Sequence, residues 1–273
     1  MCTIGWVRHE GRTFTFKQCD LTTPTLFFEP EQVQGRAGRY LAFRRQGRPG
    51  IWSGVNERGV SFVAADYYTN SDPGEPSPAP SNSAAKALAS SADNDDPVNA
   101  LFLAYEASIA NHGTAQEAIA FLSQWYLDQR FPAPDIALIA DATQAFFLEY
   151  YPGETGQDPQ VLTLTPGESW FASTNHARMF SQTVDYTRNH STYLRLARAE
   201  ALLNGQPDLD GIQAVLRDQY YGQTELSICR EGQPGQYSTQ ATVITEAGAG
   251  LPAAARYLIN GNPREKPYTL KRI

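Results

Sequence analysis

The sequence predicts an α+β protein, a four-layer αββα sandwich in which two antiparallel sheets pack together with helices outside each. Three observations lead there. Short segments alternate β-branched or aromatic residues with polar ones, two pairs of longer segments carry apolar residues at helical spacing, and the order is strands, two helices, strands, two helices, strands. With 41% hydrophobic and 19% charged residues, the 273-residue chain has the apolar material for a substantial core. No repeat and no convincing linker divides it, so residues 1–273 read as a single domain.

Cys2 to Val7 and Arg12 to Gln18 alternate around a turn at His9 to Gly11, which gives a hairpin with Cys2 at its very start. Ile51 to Ser53 and Gly59 to Ala65 form another pair around the turn-rich Gly54-Val55-Asn56-Glu57-Arg58-Gly59. Ser, Pro, Ala, Asp and Asn dominate from Ser71 to Val98, a stretch that cannot bury much surface. It reads as a long loop at 71–98, either a lid or rim over a site or an insertion without function.

Asn99 to Asn111 and Thr114 to Leu127 follow helical periodicity and form a helical hairpin broken at His112-Gly113. Ile136 to Ala140 and Ala145 to Tyr150 flank a short turn, and strands follow at Val161 to Leu164 and Trp170 to Ser173. Tyr193 to Leu203 and Leu209 to Tyr220 are helical again, the first stopped by Asn204-Gly205 and the second capped by Asp208. Glu225 to Arg230, Thr239 to Thr245 and Ala255 to Ile259 return to strands.

A formal net charge of −7, with no basic run, argues against nucleic acid and anionic membranes as partners. The opening MCTIGWVRHEG has neither the apolar run nor the cleavage site of a secretory signal, so a soluble, cytoplasmic protein is expected. Three cysteines at wide spacing, without a CxxC pair, predict neither a disulfide framework nor a zinc site. No metal and no cofactor is implied, and any cysteine chemistry falls to a single thiol. Cys19 and Cys229, in strand-like runs, read as small buried hydrophobes.

Cys2 is different. Methionine aminopeptidases act when the next side chain is small, so loss of Met1 would leave Cys2 with both a thiol and a free amine. An α-amine with a pKa of roughly 7.7 to 8.0 suits a base for its own thiol.

Further segments set this cysteine in a pattern: MCTI followed by a hairpin ending Phe16-Lys17-Gln18-Cys19-Asp20, then GVNERGVSFVAADYY, IALIADATQAFFLEYY, STNHARMF, HSTYLRLARAEALL, and SICRE leading into STQATVITE. In this order and over nearly the whole chain they resemble the N-terminal-nucleophile hydrolases that include choloylglycine hydrolases, penicillin V acylases and acyl-coenzyme A:6-aminopenicillanate acyltransferases. The resemblance implies that Cys2 is the nucleophile, that Asp20 holds its amine and the substrate, and that Asn175 donates to the oxyanion. It implies that Arg230 orients Asp20 or the substrate, an ordinary surface ion pair being its other reading.

Lys17, Asp66, Tyr67, Tyr68 and His176 are placed around the substrate. Lys17 stands where choloylglycine hydrolases have an arginine, and a lysine lacks the rigid fork, so an exposed strand residue is its other reading. Asp66 stands where they have an oxyanion-assisting asparagine, a role a carboxylate does not share; Tyr67 and Tyr68 are read either as lining the acyl pocket or as plain packing residues at a strand end. His176 is equally read as structural, because the amine already supplies a base.

The activity this implies is cleavage of a small-molecule linear amide through an acyl-enzyme on Cys2, with water as acceptor, or an amine in the acyltransferase branch. A catalytically silent binding protein on the same scaffold and an unrelated α+β protein are the other readings. A homo-oligomer is compatible with the sequence, which does not specify one.

Overall fold

The chain opens on the hairpin that its alternation predicts: β1 (Cys2–His9) pairs antiparallel with β2 (Arg12–Leu21). The loop is Glu10-Gly11, both at positive φ (48° and 72°), the conformation that matches the twist of the flanking strands. The structure is a computed structural model that describes residues 1–66, 96–152, 158–164, 167–180, 190–233 and 235–273. Residues 71–95 of the expected loop, with Tyr67 and Tyr68, lie outside the described residues.

After the hairpin come β3 (Glu31–Gly35), β4 (Gly38–Arg44), β5 (Ile51–Asn56) and β6 (Ser61–Asp66), then α1 (Pro97–Ala110) and α2 (Ala115–Gln129). The strands β7 (Asp135–Ala140), β8 (Ala145–Tyr150), β9 (Gln160–Leu164) and β10 (Trp170–Ser173) lead to α3 (Ser191–Gly205) and α4 (Leu209–Leu216). The chain closes with β11 (Ser238–Gly248), β12 (Leu251–Ile259) and β13 (Thr269–Arg272). Among the described residues one sheet has six strands in the order β10-β1-β2-β11-β12-β13, the other seven in the order β3-β4-β5-β6-β7-β8-β9, and every pairing is antiparallel.

Two expected boundaries and one expected strand are corrected. β5 runs on to Asn56, because the buried Asn56 side chain itself builds the turn: its Oδ1 accepts from Arg58 N and Val60 N, and its Nδ2 donates to Ile109 O and His112 O. The helix expected to reach Tyr220 ends at Leu216. Glu225 to Arg230 is not a strand, since its backbone bonds go to Asp218 O, Thr224 O and the Thr239 hydroxyl instead of to a ladder.

α1 and α2 cover the outer face of the seven-stranded sheet, α3 and α4 that of the six-stranded sheet, which gives the αββα layering. Strand parity then sorts the hairpin. Cys2, Ile4 and Trp6 point between the sheets, where they pack with Val63, Ala65, Ile136, Leu138 and Phe147. Val7, Phe14 and Phe16 point the other way, onto Leu196, Ala199, Leu203, Ile212 and Val215 of the helices. The approach is close enough that Gly5 is needed: a Cβ there would stand 2.2 Å from Phe16 Cζ and 2.6 Å from Phe171 O. Among the described residues no helix is long and apolar enough to cross a membrane.

Candidate active site

The start of β1 meets the end of β2, the segment after β10, the first turns of α3 and the polar stretch before β11. Met1 and Asp20 exchange both main-chain bonds, Met1 N to Asp20 O at 2.7 Å and Asp20 N to Met1 O at 2.9 Å. Alternation then puts Lys17 and Cys19 on the inter-sheet face with Cys2, and Gln18 and Asp20 on the helix-side face.

On the helix side, Asp20 and Arg230 are both fully buried and pair, Arg230 Nε to Asp20 Oδ2 at 3.2 Å, while the Thr239 hydroxyl donates to Asp20 Oδ1 at 2.8 Å. Arg230 is thus no surface residue. Asn175, also fully buried, is held from three sides. Its Oδ1 accepts from Cys2 N at 3.1 Å and from Arg195 Nη2 at 2.8 Å, and its Nδ2 donates to the main-chain oxygen of Asp66 at 2.6 Å. Two donors on one atom and an acceptor on the other fix which way the amide faces.

Arg195 is the residue that sequence reasoning missed. It is completely buried, and besides Asn175 its guanidinium donates to Cys2 O at 2.6 Å and to Thr3 Oγ1 at 3.1 Å. Arg195 Nη2 and Arg230 Nη1 also flank the Met1 sulfur, at 3.8 and 3.4 Å, and both arginines reach the Ser191 hydroxyl. A signal was available. Thr192, Leu196, Ala199 and Leu203 trace the buried stripe of α3, and Arg195 falls inside it, where a charge must find partners.

On the inter-sheet face, a hydrogen bond from Cys19 lowers the Cys2 thiol to about 6, with Lys17 and the N-terminal amine adding to it and burial opposing. The same bond, burial and the charge on Cys2 push the Cys19 thiol well up. Lys17 is buried rather than exposed; its ammonium lies over the Trp52 ring, 5.7 Å from the centroid. Burial raises the Asp66 carboxyl, but the N-terminal amine, Lys17, Arg45 and Arg48 outweigh it and hold the group below its usual range. Cys229 lies apart, buried outside any strand, its thiol donating to Asn262 Oδ1 and pushed up to about 12 by burial.

His176 does not join this group through any bond to Cys2, Asp20 or Asn175 seen among the described residues. Its Nδ1 meets the hydroxyls of Thr174 and Thr192, and burial, with Arg178, Arg195 and His190, holds its pKa down to about 3. The loop after Asn175 is anchored by Glu149 of β8, whose buried carboxylate accepts from the N–H groups of Arg178, Met179 and Phe180. No cluster of His, Cys, Asp and Glu among the described residues is arranged to hold a metal ion.

No protein-family model and no curated protein matches the chain. Solved structures do. An N-acylethanolamine-hydrolyzing acid amidase ortholog of Caenorhabditis elegans is 13% identical, with a TM-score of 0.58 over 92% of this chain and 94% of that one. The C2A mutant of a conjugated bile acid hydrolase from Clostridium perfringens (12% identity, TM-score 0.51) is matched over 100% of this chain and 96% of that one. Penicillin V acylase from Agrobacterium tumefaciens (15% identity, TM-score 0.50) is matched over 100% of this chain and 98% of that one.

The chain has the N-terminal-nucleophile hydrolase fold. In this N-terminal-nucleophile fold the polar group lies at the head of β1. Of the expected residues, Cys2, Lys17, Asp20, Asn175 and Arg230 converge there, Asp66 contributes its main-chain oxygen, and His176 stands one layer back.

Proposed function

We propose that this protein cleaves a linear amide of the N-acyl type with the thiolate of Cys2, in molecules that have lost Met1. One observation carries the reading. The Cys2 main-chain nitrogen, the atom that becomes the amine, is bonded to the oxygen of the buried Asn175 at 3.1 Å, and its thiol is already lowered to about 6.

In this reading the thiolate attacks the amide carbonyl from the inter-sheet side. Asn175 Nδ2 has two hydrogens; Asp66 O takes one, and the other serves the oxyanion of the tetrahedral intermediate. The Cys2 amine passes its proton to the departing amine, and water then releases the acyl group from sulfur. Arg195 keeps Asn175 turned with its oxygen toward the amine, and Arg230 and Thr239 fix Asp20 beneath the strand end.

The test joins intact-mass analysis with a screen of N-acyl amides. Protein without Met1 is expected to turn over at least one of them and to carry a transient acyl adduct on Cys2, and Cys2→Ala is expected to do neither. Full turnover by Cys2→Ala, or by protein that keeps Met1, would sink the mechanism. In that mechanism kcat/KM rises with pH as the Cys2 thiolate forms.

A further inference from the structure

Met1 and Asp20 exchange both main-chain bonds, so they form a hydrogen-bonded pair of the antiparallel ladder. The next pair along must then be of the other kind, and that pair is Cys2 opposite Cys19. Non-hydrogen-bonded pairs bring Cα atoms to about 4.5 Å and their side chains closest, within the roughly 4.4 to 6.8 Å that a disulfide spans. Parity puts both side chains on the same inter-sheet face. All three cysteines are free thiols in this structure, and Cys229 lies apart on Asn262.

We infer that Cys2 and Cys19 form a cross-strand disulfide when the protein meets a hydroperoxide, and that this bond reversibly blocks the site. The inference rests on the proposed function only for the block; the bond itself depends on the ladder alone. The Cys2 thiolate attacks the peroxide oxygen and becomes a sulfenic acid while the second oxygen leaves as hydroxide. Cys19 sulfur then displaces the sulfenic hydroxyl from Cys2 sulfur, and the Cys19 proton goes to the departing oxygen. In sum two thiols and one hydrogen peroxide give one disulfide and two waters. The lowered pKa of Cys2 and the raised pKa of Cys19 suit these roles, attacking thiolate and resolving thiol. Without Cys19 the sulfenic acid has no thiol beside it and proceeds to sulfinic acid, which thiols do not reduce.

The experiment treats the full-length protein lacking Met1 with a slight excess of hydrogen peroxide, then quenches, alkylates under denaturing conditions and maps peptides. The expected product has lost two hydrogens, carries a Cys2–Cys19 cross-link, leaves Cys229 as the one alkylated thiol, and returns to the starting mass with a phosphine reductant. Cys19→Ser should instead gain two oxygens on Cys2 and resist the reductant. Wild-type protein that gains oxygens on Cys2 without a cross-link would overturn the inference, and it needs no variant to fold. Turnover assayed beside the mass separates the two readings. A cross-linked protein that still turns over its substrate would leave the disulfide standing and remove Cys2 as the nucleophile. Loss of turnover in step with the cross-link, recovered on reduction, supports both.

Discussion

The two helical layers do the same packing task and differ in what they carry at their ends. α1 and α2 lay Leu101, Phe102, Ala104, Tyr105, Ile109, Ala118, Leu122 and Tyr126 onto the seven-stranded sheet, and the carboxylate beneath them, Asp135, accepts from the hydroxyls of Tyr105 and Tyr126. α3 and α4 lay Leu196, Ala199, Leu203, Ile212 and Val215 onto the six-stranded sheet, but the first turns of α3 add Thr192 and Arg195 over the buried Asp20 and Arg230. Desolvating an ion costs several kcal/mol, and a buried pair seldom outperforms apolar packing. Packing alone would not ask for three such charges, and under the proposed function they serve the chemistry at one end of one layer.

The sharpest way to break that contrast is Arg195→Met. It keeps volume but removes the donors to Asn175 Oδ1 and Cys2 O, and kcat/KM on the substrate found should fall by about 100-fold, the scale of a misplaced reacting group. Arg195→Lys should not restore it, because three bonds from one planar fork are lost. Steady-state kinetics within a few-fold of wild type would return α3 to packing only.

Leu122→Ala in α2 should give the opposite pattern, an unfolding free energy lower by about 2–5 kcal/mol in urea with kcat per folded molecule unchanged. A change in kcat would mean that the two layers are coupled.

Titration sharpens the comparison further, since a group displaced by burial lies against each layer, Asp135 beneath one and His176 beside the other. Burial pushes the Asp135 carboxyl up to about 7 from 3.8, so between those values the folded chain holds a proton the unfolded chain lacks, and acidification stabilises. His176 is held down to about 3 from 6.5, so there the unfolded chain binds the extra proton and acidification destabilises. The slopes, about 1.4 kcal/mol per pH unit each, oppose one another from about pH 4 to 6.5. Asp135→Asn removes the first, and its stability should fall on acidification more steeply than the parent's by about that slope. Parallel urea midpoints for the two proteins across this window would show that Asp135 is not protonated when folded.

The smallest effect is expected at a cap. Thr114→Ala removes the acceptor for Glu117 N at the start of α2, and should cost about 1 kcal/mol with no effect on turnover.

How much the sequence disclosed depends on the same physics. The β1–β2 hairpin, both helical pairs and β7–β8 were legible because turn residues and apolar period repeat over enough residues to register. β3 and β13 were not, because they are edge strands with largely exposed side chains and so carry no alternation. β4 was missed for the opposite reason, since Tyr40 to Phe43 is buried on both faces and shows an apolar run in place of a period. At the candidate site Cys2, Asp20, Asn175 and Arg230 were expected together because the segments that hold them resemble those of the N-terminal-nucleophile hydrolases. Arg195 was not, because a charge in an amphipathic helix ordinarily faces water, and only its place on the buried stripe set it apart.

Met1 gives the site a history. Met1 is 6% exposed, its sulfur sits between two guanidiniums, and its amine is bonded to Asp20 O. In this conformation the Met1–Cys2 peptide bond is closed to an aminopeptidase. Under the proposed mechanism Met1 must therefore leave while residues 1–21 are still unpaired, in the seconds when a nascent chain growing at about 5–20 residues per second has not yet supplied β11 and α3 to close over it. A molecule that folds first is locked as its own blocked form. Under the proposed mechanism a refolded preparation of Met1-bearing chains should not gain activity by later exposure to the peptidase.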